Sequence, residues 1–318
     1  MTLLGHAEPW TEWRAAMTSS RMHHAWILAG LRGIGKASFA RAAAAELVAE
    51  PGIHQPAAAN HPDIIVLDPL PANDAEEAKK AEGKPFQLKR NITVDQVRRM
   101  QQRLVTRPTL GGRRAIIIDP ADDMEKGAVN ALLKSLEEPP QGTFFLLVAH
   151  RPGRLLPTIR SRCRILRFNP LSDAEVTKIL ADSPADAATR AAAVAAAEGS
   201  PGAALNFVGQ ELGALHRLMQ RLLREGDERF ELRGMLANDI GARPDRERIA
   251  ATLDLARAVL AAELRNSAPL RQSRIIAAHT ELVRLAGQAP TYNFDAGLLV
   301  MEIGGLLASA AAPRDAAA

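Results

Sequence analysis

Cysteine is almost absent from this chain of 318 residues, which contains only Cys163. A single cysteine excludes an internal disulfide and a zinc site built from several thiolates, and it fits a protein of the reducing cytoplasm. The first residues, MTLLGHAEPWTEW, lack a basic stretch followed by an apolar run, so we expect no secretory signal peptide. No apolar run approaches the ~20 residues of a membrane span. We therefore expect a cytoplasmic protein without a membrane partner.

Aromatic residues and excess charge are also scarce. Aromatics make up 4% of the chain, and 40 basic against 36 acidic residues leave a net charge of only +4. Such a balance is typical of an ordinary mixed surface and does not predict a large surface that grips nucleic acid. Hydrophobic residues reach 47%, enough for a sizeable core. The length predicts two or three domains.

The first half of the sequence alternates short apolar segments with helical patterns. The apolar segments are AWILA, DIIVL, AIIID, FFLLVA and RILRF, at residues 25–29, 63–67, 115–119, 144–149 and 164–168. Strands that are apolar throughout and separated by helices are typical of a parallel sheet covered on both faces. We predict an α/β domain here, with the polar residues 69–92 forming an exposed insertion or hairpin.

Beyond Pro170 every periodic segment predicts helix. Ser172 or Asp173 is a suitable cap for the first of these helices, and we find no strand signal downstream. The abundance of alanine in this half favours helix as well. The sequence therefore predicts an α/β domain followed by an all-α region.

A glycine-rich turn connects the first predicted strand to a helix. The turn reads Gly30-Leu-Arg-Gly33-Ile-Gly35-Lys36-Ala37. In this context glycines let the backbone wrap a phosphate chain, the helix N-terminus favours an anion, and Lys36 reaches the terminal phosphates. This pattern predicts a P-loop, the phosphate-binding loop of many nucleotide hydrolases.

The loop and its surroundings lack parts that hydrolysis needs. The motif requires Ser or Thr after the lysine to bind Mg²⁺, but Ala37 has no hydroxyl, and Ser38 lies about 100° further round the helix. Asp119 ends a strand where a magnesium-linked acid belongs, but Pro120 follows it in place of an acid that orients water. We interpret Asp122 and Asp123 as solvating or capping residues.

Two further segments carry a family resemblance. NALLKSLEEPP at residues 130–140 is followed about twenty residues later by Ser161-Arg162-Cys163, and His61-Pro62-Asp63 and ITVDQVR at 92–98 add to the pattern. With these motifs the chain resembles the clamp-loader branch of the AAA+ proteins, strongly over residues 20–205 and only in general shape beyond.

The resemblance implies a domain plan. An AAA+ P-loop-type α/β domain at 1–168 would be followed by a small helical lid at 169–208. An all-α collar at 209–312 would hold the subunit in a ring, and residues 313–318 would form a disordered tail. In such a ring three gamma/tau subunits, one delta and one delta-prime open the beta sliding clamp and place it on primer–template DNA.

The resemblance also suggests which kind of subunit this is. An active gamma/tau ATPase carries a polar sensor after the fourth strand and a sensor arginine in the lid, where this chain has Ala149-His150 and Gly202. Together with Ala37 and Pro120, these departures favour the delta-prime type, which lacks its own ATPase activity. Gly30, Gly33, Gly35, Lys36 and Asp119 would then form a vestigial nucleotide site, with residual ATP or ADP binding left open and no cofactor required.

Arg162 is the one catalytic residue of the family pattern that this sequence retains. It corresponds to an arginine finger, which enters a neighbouring subunit's ATP site and stabilises charge on the transferring phosphoryl group. The alternative is an ordinary surface ion pair. Cys163 is better interpreted as a small buried residue than as a nucleophile.

The resemblance also bears on DNA and on zinc. Arg98 and Arg103 lie on a helix that would face primer–template DNA, although a solvated helix face explains them equally well. Residues 50–60 lack the cysteines of the zinc module that many relatives carry, so we expect no zinc.

Two rival functions stay open. An active gamma/tau-type ATPase conflicts with Ala37 and Pro120. A small-molecule kinase with a P-loop conflicts with the paired NALLKSLEEPP and Ser-Arg-Cys segments and with the long helical second half.

Overall fold

The computed structural model describes residues 4–19, 21–264, 267–289 and 294–311. The chain divides into two compact units, Met1–Leu171 and Ser172–Ala318. The first contains all the strands of the described residues and the second is built from helices. The division of the helical part into a lid at 169–208 and a collar at 209–312 stays a prediction, and the tail 313–318 lies outside the described residues.

A five-stranded parallel sheet forms the centre of the first unit. Its strands are β1 (Ala25–Ala29), β2 (Ile64–Leu67), β3 (Arg114–Ile118), β4 (Thr143–Ala149) and β5 (Arg164–Arg167). Their order is β2-β3-β4-β1-β5, and all neighbouring pairs are parallel. Within the register, Trp26 lies opposite Arg164 and Ala29 lies opposite Arg167. The predicted α/β domain with an apolar parallel sheet is confirmed.

The first unit contains six helices among its described residues. They are α1 (Ala7–Thr18), α2 (Lys36–Val48), α3 (Asp74–Ala81), α4 (Val94–Leu104), α5 (Lys126–Glu137) and α6 (Pro157–Arg160), with short 3-10 turns at Ala58–Asn60, Ala121–Asp123 and Pro152–Arg154. Successive strand residues point to opposite faces, so Trp26 and Leu28 join one core with α1 and α2, whereas Ile27 and Ala29 join another with α4 and α5. Strands β1 to β4 are therefore largely buried on both faces, whereas three of the four residues of the edge strand β5 are exposed.

Three helices of this unit were not predicted from the sequence, namely α1, α3 and the one-turn helix α6. α1 buries Trp13 against Trp26, with ring centroids 5.5 Å apart. α3 lies in the segment at 69–92, where we predicted only an exposed insertion or hairpin. Pro71 and Leu88 form an antiparallel bridge that closes this segment, so it is a hairpin that carries a helix. The mixed charges and prolines of this segment favour a loop, so the sequence analysis did not predict the helix, whose N-terminus is capped by Asn73.

The second unit contains eight helices among its described residues. They are α7 (Asp173–Ile179), α8 (Ala187–Ala196), α9 (Pro201–Gly209), α10 (Gly213–Glu225), α11 (Glu231–Ile240), α12 (Arg246–Leu264), α13 (Pro269–Gln288) and α14 (Ala296–Ser309). Ser172 caps α7 through the backbone N–H of Glu175, as one of the two predicted caps. No helix of the described residues is long and apolar enough to cross a membrane.

Candidate functional site

The glycine-rich turn lies at the carboxyl end of β1 and leads into α2. Gly33 and Gly35 have φ angles of 77° and 105°, which L side chains rarely adopt. A side chain at Gly30 would place its Cβ 2.6 Å from the backbone oxygen of Phe168, so the close approach of the chain after β5 requires glycine there. The structure therefore requires or favours glycine at three positions of the predicted loop, and its role in phosphate binding stays a prediction.

Lys36 is turned into this loop. Its side chain is buried, and Nζ donates hydrogen bonds to the backbone oxygens of Gly30 at 2.7 Å and Leu31 at 2.5 Å. Burial lowers the pKa of Lys36 to about 8, although the carboxylates of Asp122 and Asp119 oppose this shift. The ammonium group thus occupies the loop that would receive phosphate.

His6 also contacts the loop, which sequence reasoning missed. The imidazole Nε2 lies 2.7 Å from the backbone oxygen of Ile34, and the ring packs edge-on against Phe168 with centroids 5.0 Å apart. A Cβ at Gly35 would lie 3.4 Å from the same Nε2. The residue precedes α1 and no motif marks it, so only the fold brings it to the loop.

The position directly after Lys36 lacks a hydroxyl. Ala37 follows Lys36 in the first turn of α2, and Ser38 is exposed on the outside of this helix. Ser38 therefore does not replace the missing magnesium ligand.

The two acidic residues beside the loop, Asp119 and Asp122, make contacts with other parts of the same domain. Asp119 follows β3, and burial raises its pKa while the guanidinium of Arg41, 3.9 Å away, lowers it. Asp122 accepts hydrogen bonds from the backbone N–H groups of His150 and Arg151, both at 3.0 Å. Its carboxylate therefore fixes the chain after β4. We interpreted Asp122 and Asp123 as solvating or capping residues, but the carboxylate of Asp122 instead binds these two backbone N–H groups after β4.

His150 lies where a polar sensor is expected. Burial, followed by the charge of Lys36, lowers its pKa to about 4, so the ring is neutral near pH 7. Its Nδ1 is buried and has no hydrogen-bond partner among the described residues. The site thus contains the cation Lys36 beside a neutral ring.

Arg162 lies at the other end of the sheet. It follows α6 and precedes β5, so it belongs to the amino edge, whereas the glycine-rich turn follows the carboxyl end of β1. Its side chain is 34% exposed and forms an ion pair with Glu137 at 2.7 Å. The neighbouring Cys163 packs against the core, and burial raises the pKa of its thiol to about 12, which makes it a poor nucleophile.

The candidate DNA residues on α4 differ in their contacts. Arg98 is largely exposed and lies 3.7 Å from Asp95, which is a weak surface pair. Arg103 is exposed too, but it donates a hydrogen bond to the backbone oxygen of Pro62 at 2.9 Å. Arg98 is therefore the freer of the two, and DNA contact by either stays a prediction.

His61, which follows the segment at 50–60, has structural contacts. His61 is buried, with Nε2 2.6 Å from Oε1 of Gln55 and Nδ1 accepting from the backbone N–H of Asp63. Among the described residues no three His, Cys, Asp or Glu side chains are grouped for a metal ion. In the second unit, Gly202 lies in the first turn of α9, where it supplies no side chain to replace a sensor arginine.

Comparison with known proteins gives the chain a family. The family described as "DNA polymerase III, delta subunit" matches residues 5–172, which is more than half of the chain. A DNA polymerase III subunit delta' from Pseudomonas aeruginosa is 37% identical over 224 residues, 64% of this chain and 61% of that protein. A DNA polymerase III subunit delta' from Escherichia coli K12 is 32% identical over 221 residues, 65% of this chain and 61% of that protein.

These matches leave part of each protein uncompared, since the chain spans about three fifths of the length of both relatives, 61% in each case. Among solved structures, a DNA polymerase III gamma subunit-related protein from Thermotoga maritima has a TM-score of 0.51 and 20% identity, over 94% of this chain and 98% of that one. That likeness shows a shared fold. The chain belongs to the family described as DNA polymerase III, delta subunit, and the curated relatives named above are delta' subunits of that polymerase.

Proposed function

We propose that this chain is the non-hydrolysing delta-prime subunit of a cytoplasmic clamp loader. It works beside gamma/tau and delta subunits, helps to place the beta sliding clamp on primed DNA, and donates Arg162 to the ATP site of a neighbouring gamma/tau subunit. It requires no cofactor and no zinc of its own.

The observation that carries this proposal is the separation of Arg162 from the chain's own nucleotide loop. Arg164 lies opposite Trp26, and Gly30 begins four residues further along β1, roughly 13 Å away at about 3.3 Å per residue. Arg162 precedes Arg164 and so lies further still from the loop. An arginine at the amino edge of the sheet cannot serve a site at the carboxyl edge, which supports action on another subunit.

The local chemistry supports the absence of hydrolysis. Ala37 offers no oxygen to a magnesium ion, and Pro120 offers no carboxylate to an attacking water. Asp122, the next acid, already accepts two backbone hydrogen bonds. The glycine backbone is retained, so ADP or ATP binding without turnover is compatible with the proposal.

The test is steady-state ATP hydrolysis by a complex reconstituted with its own gamma/tau and delta subunits, in the presence of clamp and primed DNA. Arginine fingers contribute about 10³–10⁵-fold to turnover at their site, so Arg162→Ala should silence one of the three expected sites and remove at least roughly a third of the activity. Arg160→Ala is the matched control, because Arg160 is an exposed arginine of the same turn.

The isolated chain provides the second arm of this test. It should hydrolyse no ATP. Turnover by the chain alone would support the alternative, an active gamma/tau-type ATPase. Unchanged turnover of the complex with Arg162→Ala would refute the donated finger.

A further inference from the structure

The guanidinium of Arg162 is held at both ends by its own chain. One terminal nitrogen, Nη2, forms the 2.7 Å ion pair with Oε1 of Glu137. The other, Nη1, donates a 2.9 Å hydrogen bond to the backbone oxygen of Thr158. A phosphoryl group binds a guanidinium through the same two nitrogens. In this arrangement Arg162 is therefore not free to bind phosphate.

The carboxylate of Glu137 also affects the charge of Arg162. An arginine finger works because an uncompensated positive charge faces the negative charge that develops on the transferring phosphoryl group. A carboxylate 2.7 Å away cancels much of that charge. The ion pair therefore belongs to a resting state rather than to the reacting one.

The backbone is held in place both at Glu137 and at Arg162. Glu137 is the last residue of α5, and the preceding Leu136 is buried in the core. The backbone N–H of Arg162 donates to the backbone oxygen of Ile159 at 3.1 Å. Half of the Glu137 side chain is exposed, so the ion pair can open by side-chain rotation alone.

We propose that Glu137 is a positioning residue that holds Arg162 at rest, and that Arg162 exchanges the Glu137 carboxylate for the γ-phosphoryl oxygens of ATP in the neighbouring subunit. This inference rests on the proposed function. The exchange is favourable only when the neighbour brings ATP within reach, because the phosphate carries more negative charge than the carboxylate. Glu137 thereby limits the action of the finger to the correctly assembled interface.

Glu138 offers a matched control. It follows Glu137 directly, is exposed, and forms no ion pair within the described part of the chain. Removing its charge changes the local net charge by the same amount without touching Arg162. The difference between the two positions therefore isolates the ion pair from the general electrostatics of the surface.

The experiment measures kcat/KM for ATP in the reconstituted complex with Glu137→Gln, Glu138→Gln, Arg162→Ala and the double variant Glu137→Gln/Arg162→Ala. A half-exposed ion pair supports about a two- to fivefold change in the population of free Arg162, and kcat/KM of the site it serves should rise by that factor. The complex as a whole should gain less, because its other sites are unaffected. Tryptophan fluorescence unfolding checks that each variant is folded.

The inference stands if Glu137→Gln raises kcat/KM, Glu138→Gln does not, and the double variant equals Arg162→Ala. An unchanged or lowered kcat/KM with Glu137→Gln overturns it, and so does a gain that persists without Arg162. Arg162→Ala with normal turnover is a different failure, since it refutes the donated finger itself.

Discussion

Asp63→Asn tests the buried contact that fixes α4 to the sheet. Asp63 is fully buried, and its carboxylate accepts hydrogen bonds from the backbone N–H groups of Thr109 and Leu110, all at 2.8 Å. It also accepts from Arg114 at 3.3 Å. Arg114 is buried too, and donates to the backbone oxygens of three residues at the end of α4 and just beyond it, namely Arg103, Thr106 and Arg107.

The expected cost follows from these contacts. Both carboxylate oxygens face donors, so either orientation of an asparagine amide would set its NH₂ group against another donor. The substitution also leaves the Arg114 guanidinium buried without its counter-charge, which costs about 3–5 kcal/mol. The lower end is expected, because Arg114 keeps its bonds to backbone oxygens. With a urea m value of about 2 kcal/mol per molar, the unfolding midpoint should fall by about 1.5–2.5 M.

The chain provides a selective assay for this change. Its three tryptophans, Trp10, Trp13 and Trp26, all lie in the first unit, so their fluorescence reports the unfolding of that unit alone. A midpoint shift below about 0.5 M, which is about 1 kcal/mol at the same m value, would refute the reasoning. Asp63→Asn combined with Arg114→Met should recover part of the loss, because the unpaired charge is removed.

The same carboxylate predicts a dependence on acid. Burial by itself would raise the pKa of Asp63. The hydrogen bonds from Leu110 and Thr109 and the Arg114 guanidinium together lower it by more, so the pKa lies below the ordinary 3.8. A group with a lowered pKa contributes its stability above the unfolded value, and that contribution is lost as the pH falls through the folded value. Wild type should therefore lose this stability below pH 3.8, while Asp63→Asn shows a smaller loss.

Two further predictions concern the nucleotide loop and the helical unit. ADP binding to the loop should weaken by up to about tenfold per pH unit above pH 8, because the pKa of Lys36 is lowered to about 8 and phosphate favours its charged form. Calorimetric titration from pH 7 to 9.5 measures this, and an affinity independent of pH contradicts it. Arg271 joins three helix ends through Ala310, Glu263 and Leu223. Arg271→Met should therefore destabilise the second unit by about 2–4 kcal/mol, seen by circular dichroism in urea without a shift in the tryptophan signal. Arg271→Lys should not restore the stability, since one ammonium cannot replace the planar fork.

The candidate site was predictable where its parts are contiguous in the sequence. Gly30, Gly33, Gly35 and Lys36 lie within seven residues after an apolar strand, so spacing alone indicates a phosphate loop. The missing hydroxyl at Ala37 is visible in the same way. Contacts from distant segments, such as His6 on the loop, leave no periodic signal.

The sequence by itself predicted the order of the five strands, the position of the glycine-rich loop and the missing hydroxyl after Lys36, because these depend on residues a few positions apart. Only the tertiary structure decided that β5 pairs with β1. This pairing places Arg162 at the end of the sheet where the strands begin, away from the loop. The tertiary structure likewise decided that Glu137 binds Arg162 across twenty-five positions. An ion pair at that separation depends on how helices and strands pack, and no local pattern of residue types encodes it.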